Sequence, residues 1–312
     1  MTPRGPYKMA DLARQKASPQ TIILATDLSS RCDRAMQRAL QLAKLWNSRL
    51  IILSVVEPDD PDDSSETWNL PHRRRPPASR SVAEAQIRRQ FGEIADLAEV
   101  RIIEGDPALV IQDVAQQVAA ELIITGVGRD ETFGRHVLGS TVEQLAQRTA
   151  VPLLIVKSRV WPYEEILVAT DLSESSGQAL AAADRFFPTA PITALYVTEA
   201  PTDGVPDSPD QLQQRADQKI DCVAFIERSG LAPEACLRVK ALVDHGRPEV
   251  AVRRYMLEKE VDLVVVGSHG NGGVFEKRLG GVARQILDYA PADVLVVRDS
   301  RAESGDGPSH PG

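Results

Sequence analysis

Residues 21–29 read TIILATDLS, and residues 165–173 read EILVATDLS. Each is an aliphatic run that stops at Ala-Thr-Asp. Three further stretches return in the same order at one constant interval. Gly105-Asp106-Pro107 recurs as Gly246-Arg247-Pro248, ELIITG ending at Gly126 recurs as DLVVVG ending at Gly267, and LLIVK (153–157) recurs as VLVVR (294–298). Four ordered matches mark an internal duplication, and its period is a whole domain, not a solenoid unit. A chain of 312 residues has room for two such domains. The expected boundaries are a polar, disordered tail over 1–19, one domain over 20–157, a short linker over 158–163, a second domain over 164–298, and a disordered tail over 299–312.

Both copies read as five strands alternating with four helices. The first copy gives strand TIILAT, a helix capped by Ser29 and running to about Gln41, and strand 49–56. A polar loop over 57–80 follows, then a helix near 81–97, strand 99–104, and a helix from Pro107 to Ala120. Strand ELIITG, a glycine-bearing loop, helix Ser140–Arg148 and strand PLLIVK complete it. The second copy gives EILVAT, helix 173–187, strand ITALYVT, a helix near 209–229, strand CLRVKAL (236–242) and helix 248–259. Strand DLVVVG, a glycine loop, helix 281–289 and strand DVLVVR close the chain. Within 209–229, Leu212, Ala216, Ile220 and Val223 recur at helical spacing and read as a core-facing stripe. The strands are near-continuous Val/Ile/Leu runs, as in parallel sheets buried on both faces. The fold class is therefore α/β: two repeated doubly wound, five-stranded parallel-sheet domains, three-layered and flavodoxin-like. The last strand of such a sheet is an exposed edge. Here the two halves could cover each other's edge as an internal pseudo-dimer, with a homodimer as a further option.

Composition narrows the function. The net charge of -8 and the 4% aromatic content argue against nucleic acid and anionic membrane as partners. No apolar run approaches a membrane span, and MTPRGPYKMADLARQKASPQ holds no apolar signal-peptide core, so the cytoplasm is the expected location. Cys32, Cys222 and Cys236 form no CxxC and no regular spacing; they read as small apolar residues in a reducing compartment.

Ligands of open α/β sheets sit beyond the carboxyl ends of the strands, where the strand order reverses. The two most faithfully repeated features lie at such ends: Ala-Thr-Asp after strand one and the glycine loop after strand four. If strands one and four are neighbours, both line one crevice. The helices beginning near Gly139 and Gly280 then aim free N–H groups at it, an arrangement suited to phosphate. The letters exclude a P-loop, a completed GxGxxG, HExxH, GxSxG and zinc-type Cys/His spacing.

GSHG (267–270), nine residues, then Gly280 resembles the G-x-x-G-x9-G-(S/T) loop of the universal stress protein family, and ATDLS and the closing VLVV strand match it too. The resemblance covers about 20–157 and 164–298 and implies a tandem member with an adenine nucleotide α-hydrolase-like fold. It implies ATP, or the related ADP or AMP, as ligand. The contacts it implies in half one are Ala25, Thr26, Asp27 and Val55, with Gly126, Gly128, Arg129, Gly139, Ser140 and Thr141 in the loop. In half two they are Ala169, Thr170, Asp171 and Val197, with Gly267, His269, Gly270, Gly280, Gly281 and Val282. Asp27 and Asp171 would sit at the ribose and at any nucleotide-bound Mg. Each copy departs from the motif. Half two keeps the loop spacing, but Gly281 replaces the hydroxyl residue. Half one keeps Ser140 and Thr141, yet Arg129 stands at the second loop glycine; a register shifted by one uses Gly128 instead and loses the first glycine to Thr125.

Bland readings stand beside these. Asp27 and Asp171 could simply cap a turn. His136 and the His72-Arg73-Arg74-Arg75 run read as solvated surface, and Trp161 as a shielded linker aromatic. Function is accordingly a nucleotide-binding stress regulator acting through assembly or partner contacts, with a nucleotide-free scaffold as the alternative. A slow ATPase is a third reading, weakened because no second residue placed to orient water is identifiable. An unrelated adenylating or redox enzyme on a flavodoxin-like fold is a fourth.

Overall fold

A computed structural model describes residues 18–29, 32–56, 80–91, 98–127, 131–132, 135–136, 139–158, 162–198, 209–268 and 279–298. Half one comprises β1 (Thr21–Ala25), α1 (Asp33–Trp46), β2 (Arg49–Val56), α2 (Arg80–Phe91), β3 (Glu99–Glu104), α3 (Pro107–Gln117) and β4 (Leu122–Gly126). A two-residue ladder of β5 (Glu131–Thr132) and β6 (Arg135–His136) follows, then α4 (Ser140–Arg148) and β7 (Leu153–Val156). Half two comprises β8 (Ile166–Thr170), α5 (Glu174–Phe186), β9 (Ile192–Thr198), α6 (Pro209–Arg228), α7 (Pro233–Cys236) and β10 (Val239–His245). It ends with α8 (Pro248–Glu258), β11 (Leu263–Gly267), α9 (Gly281–Tyr289) and β12 (Asp293–Val297).

Each half is a parallel five-stranded sheet, ordered β3-β2-β1-β4-β7 and β10-β9-β8-β11-β12. Strands one and four are neighbours in both, with Ala25 opposite Thr125 and Ala169 opposite Val266. The order reverses at β1 and β8, so each half has its switch point where the sequence put it. The aliphatic runs are buried as a parallel sheet requires: Ile22, Ile23, Leu24, Leu167, Val168, Val264 and Val265 are all inaccessible to solvent. Residues of α1, α5 and α6 cover one face of the sheet, and residues of α3, α4, α8 and α9 cover the other.

The fifth strands join the halves. β7 and β12 run antiparallel, pairing Ile155 with Val294, Leu154 with Leu295 and Leu153 with Val296, so one ten-stranded sheet crosses the molecule. Leu154 and Leu295 are repeat-equivalent, so the pseudo-two-fold axis passes between them. The pair Arg284 to Glu143, 3.1 Å, lies on the same axis, since these positions are equivalent too. The repeat-equivalents Lys157 and Arg298 each reach a carbonyl of the other half, Arg298 Nη1 donating to Gln147 O at 2.9 Å, whereas the carboxylate cluster at the seam is one-sided. Asp293, with no exposed surface, accepts hydrogen bonds from Lys157 N (2.8 Å), Ser158 N (2.8 Å), Ser158 Oγ (2.9 Å) and Tyr163 OH (2.6 Å), and lies 3.4 Å from Arg38. Its counterpart in half one is Pro152. Arg38 stacks 4.1 Å above the Tyr163 ring, and Trp46, Phe186, Phe187 and Tyr163 form an aromatic cluster with centroids 5.0–6.4 Å apart. Lys157 Nζ donates to Leu287 O and Ala290 O at the end of α9. Burial pushes the Lys157 ammonium down to about 8, against the opposing pull of Asp288 and Asp293.

Three expectations need correction. Ser29 caps no helix: α1 begins at Asp33, and Ser29 belongs to the preceding turn, its carbonyl accepting from Cys32 N at 2.9 Å. The strand expected over 236–242 begins at Val239, because Pro233 starts the short helix α7. The stripe on α6 points outward, with Ile220 and Val223 64% and 42% exposed and Ala216 exposed. Cys222, Phe225 and Ile226 face the core instead. Two apolar stripes share this helix, and the one carrying the aromatic ring buries the larger area. Pro19, counted with the tail, is tied to the first half by Ser48 Oγ, which donates to its carbonyl at 2.5 Å. His72–Arg75 and Trp161 lie outside the described residues.

Candidate functional site

The same turn follows β1 and β8. Thr26 Oγ1 accepts from Leu28 N at 3.0 Å and Asp27 Oδ1 from Ser29 N at 2.9 Å. In half two, Thr170 Oγ1 accepts from Leu172 N at 2.9 Å and Asp171 Oδ1 from Ser173 N at 3.1 Å. Short polar side chains thus bond the backbone two residues on, the ordinary chemistry of Thr and Asp in turns. These bonds hold Leu28 and Leu172 in the left-handed region, at φ 57° and 63°. A leucine there costs about 1–2 kcal/mol. In half one the cost is offset by packing: Leu28 is buried against Val56, Ala83 and Ile87. The outcome is an Asp fixed at the mouth of each switch point.

The two crevices then differ. In half one, Cys32 Sγ lies 3.1 Å from Asp27 Oδ1, and burial, with the Asp27 charge adding to it, pushes that thiol up to about 12. In half two a hydroxyl cluster replaces it. Ser173 caps α5 by accepting from Ser176 N at 3.3 Å, and Ser176 Oγ lies 2.8 Å from Thr170 Oγ1. At the rim, Thr198 Oγ1 lies 2.7 Å from His245 Nδ1, where half one has the register pair Val56 and Glu104.

The fourth strands end beside these turns. Gly126 and Gly267 are the last residues of β4 and β11. A Cβ on Gly267 would stand 2.6 Å from Ser175 Oγ and 2.9 Å from the Ser175 carbonyl carbon, so the missing side chain admits the first turn of α5. Gly280 N donates to Ser268 O at 3.0 Å, which brings the start of α9 back to the exit of β11. Gly139 and Gly280 are the N-caps of α4 and α9, neither making a side-chain cap, so Ser140, Thr141, Gly281 and Val282 form the first helical turns. Among the described residues, a Cβ on Gly281 meets nothing within 4 Å. Val55 and Val197 sit half-buried near the ends of β2 and β9. Gly128, Arg129, His269 and Gly270 lie outside the described residues.

Sequence reasoning thus named the Asp, Thr and helix-start residues. It missed the left-handed leucines, the Ser173–Ser176 cluster and the Thr198–His245 pair. The repetition of Leu-Ser after each Asp was the available signal for the first of these.

A family model described as the universal stress protein family matches residues 19–157 and again 162–298. A universal stress protein of Mycolicibacterium smegmatis is 25% identical over 298 residues, covering 91% of this chain and 99% of that one. The stress response protein NhaX of Bacillus subtilis is 27% identical over 162 residues, 44% of this chain and 96% of NhaX. Among solved structures, a universal stress protein from Archaeoglobus fulgidus superposes with a TM-score of 0.61 at 19% identity, covering 89% of this chain and 98% of that one.

Proposed function

The chain is a tandem member of the universal stress protein family, and on that premise we propose that it binds ATP or a related adenine nucleotide in at least one crevice. Occupancy then biases assembly or partner contacts in a stress response. The observation carrying this reading is the repeated turn that fixes Asp27 and Asp171 beside the exits of β4 and β11. An acidic chain with a net charge of -8 can hold a polyphosphate only through local donors, and helix starts capped by glycine supply them as backbone N–H groups.

Half two is the better candidate. Its strand exit and helix start are tied together, and its polar rim of Thr198 and His245 offers a nucleoside hydrogen-bonding partners. Half one offers the hydroxyls of Ser140 and Thr141 in return. Among the described residues no three His, Cys, Asp or Glu side chains gather to hold a metal ion. Asp27 and Asp171 would therefore meet magnesium only through the phosphates of a bound nucleotide.

The scaffold reading is favoured by one observation: Asp Oδ1 in each half, and Gly267, already serve internal packing. Acid extraction of the purified protein, with chromatography of the supernatant, separates the two. Adenine nucleotide in the extract, or thermal stabilisation by millimolar ATP that weakens in Asp171→Ala, supports binding. At a ligand excess of about 100 times Kd the stabilisation amounts to about 2.7 kcal/mol. An empty extract with no shift decides for the scaffold.

A further inference from the structure

We propose that the seam between the halves selects its partner: half one accepts half two, and each half rejects a second copy of itself. Both halves carry the same aliphatic fifth-strand edge, Leu153–Val156 in one and Asp293–Val297 in the other. On aliphatic pairing alone, β7 could meet a second β7 and β12 a second β12, because Leu154 and Leu295 already meet as equivalents on the pseudo-two-fold axis. About such an axis a residue lying on it meets its own equivalent. Charges placed there decide whether like halves can pair.

Two independent placements oppose self-pairing. The first is at the surface, where Arg284 meets its equivalent Glu143 at 3.1 Å. Two copies of half one would set Glu143 against Glu143, and two copies of half two would set Arg284 against Arg284. The second is buried. Asp293 of half two lies 3.4 Å from Arg38 of half one, and neither side chain is more than 1% exposed. Their equivalents are Pro152 and Ala182. Two copies of half one would thus bury both Arg38 guanidiniums with proline in place of the carboxylate. Two copies of half two would bury both Asp293 carboxylates with alanine in place of the guanidinium. Ser158, whose N–H and hydroxyl both donate to Asp293, has Asp299 as its equivalent, which brings a further negative charge.

The mixed pair satisfies both placements and neither self-pair does. A buried ion deprived of its counter-charge is disfavoured far more than an exposed like pair, which salt screens. The buried placement therefore carries most of the discrimination. Other cross-seam contacts do not discriminate. Arg185 of half two pairs with Glu121 of half one, whose equivalent Asp262 is acidic too. Lys157 and Arg298 are both cations that reach a helix-end carbonyl of the opposite half. These shared contacts hold the seam, while Arg38, Glu143, Arg284 and Asp293 choose the partner by penalising the wrong one. The halves are consequently not interchangeable, and a second chain can enter the seam only by exchanging half for half.

The test uses the folded full chain with a protease-recognition sequence inserted between Arg159 and Val160. Isotope-labelled and unlabelled protein are cut after purification, mixed, and held until labelled half one is found with unlabelled half two. Native mass spectrometry then weighs the pairs. Random pairing makes about half of all pairs like with like, and the expected share in wild type is below about a tenth of that. Arg38→Met with Glu143→Gln removes both charges from half one and should raise its self-pair about tenfold or more. Glu143→Gln alone, at a half-exposed side chain, should move it the same way by a smaller factor that vanishes at high salt. Self-pairs near the random share in wild type overturn the proposal. So does a share that both variants leave unchanged, and so do cut halves that stay apart at micromolar concentration.

Discussion

Asp293→Ala should cost the protein about 3–5 kcal/mol of unfolding free energy, the amount typical of breaking a buried charge pair by removing one partner. Asp293 has no exposed surface, and Arg38, 3.4 Å away, is 1% exposed. Removing the carboxylate leaves a guanidinium buried without its counter-charge. It also withdraws the acceptor from two backbone N–H groups, Lys157 and Ser158, and from Tyr163 OH. An unsatisfied buried donor costs about 1–3 kcal/mol, but these losses share one cavity and will not add. Water entering the space left by the side chain limits them further. Native proteins are stable by about 5–15 kcal/mol, so the loss is a large share of the total. Urea unfolding followed by circular dichroism gives the number, and a cycle with Arg38→Ala gives the coupling. The double variant should lose clearly less than the two single losses combined. A cost for Asp293→Ala below about 1 kcal/mol, or strict additivity in the cycle, would refute the idea that this cluster locks the halves together.

Lys157 gives a pH dependence of definite sign. Its folded pKa is about 8 against an ordinary 10.5, so between those values the unfolded chain holds a proton that the folded one has shed. Stability therefore rises with pH across that window, by about 1.4 kcal/mol from pH 7 to 9 for this group alone. Lys157→Met should flatten that rise in urea melts at pH 7, 8 and 9, and parallel curves would contradict it. Burial pushes the Cys32 thiol up to about 12 and the Cys222 thiol up to about 11, and holds Tyr163 well above its usual range; these groups act the opposite way, the thiols already at about pH 8–9 where an unfolded thiol ionises, so the test is the difference between Lys157→Met and wild type rather than the wild-type slope. Gly267→Ala should destabilise half two by about 1–3 kcal/mol, because its Cβ meets not only Ser175 Oγ, which can rotate, but also the Ser175 backbone, which cannot move without shifting α5. A melt that shifts by less than a degree would show that α5 gives way freely.

The fold was legible because duplication wrote it twice. Aliphatic runs such as TIILAT and LVVVG could only be strands covered on both faces, and Pro107 and Pro248 announced helix starts that the structure places there. The seam was hidden for the same reason. Its residues stand where the copies differ: Asp293 opposite Pro152, and Arg38 opposite Ala182. A comparison that seeks likeness passes over them. Apart from Trp161, the aromatic residues were weighed only as base-stacking platforms, yet Trp46, Tyr163, Phe186 and Phe187 cluster where the halves meet. The α6 stripe misled because periodicity finds an apolar face without saying which of two competing faces the sheet will take. At the crevices, letters identified Thr and Asp but not the hydrogen bonds that turn Leu28 and Leu172 left-handed. Gly267 was named as a nucleotide contact; what the letters did not show is that its missing side chain also makes room for Ser175.

Calorimetric titration of ATP into the full chain and into Gly281→Ser tests the nucleotide reading most directly. Among the described residues nothing stands within 4 Å of a Cβ at 281, and a hydroxyl bonded to a charged phosphate contributes about 1.5–3 kcal/mol, or about tenfold to a hundredfold in affinity. Saturable heat in the wild type, with binding tightened by that factor in Gly281→Ser, is the predicted result. Flat titrations of both proteins at millimolar ATP would contradict it.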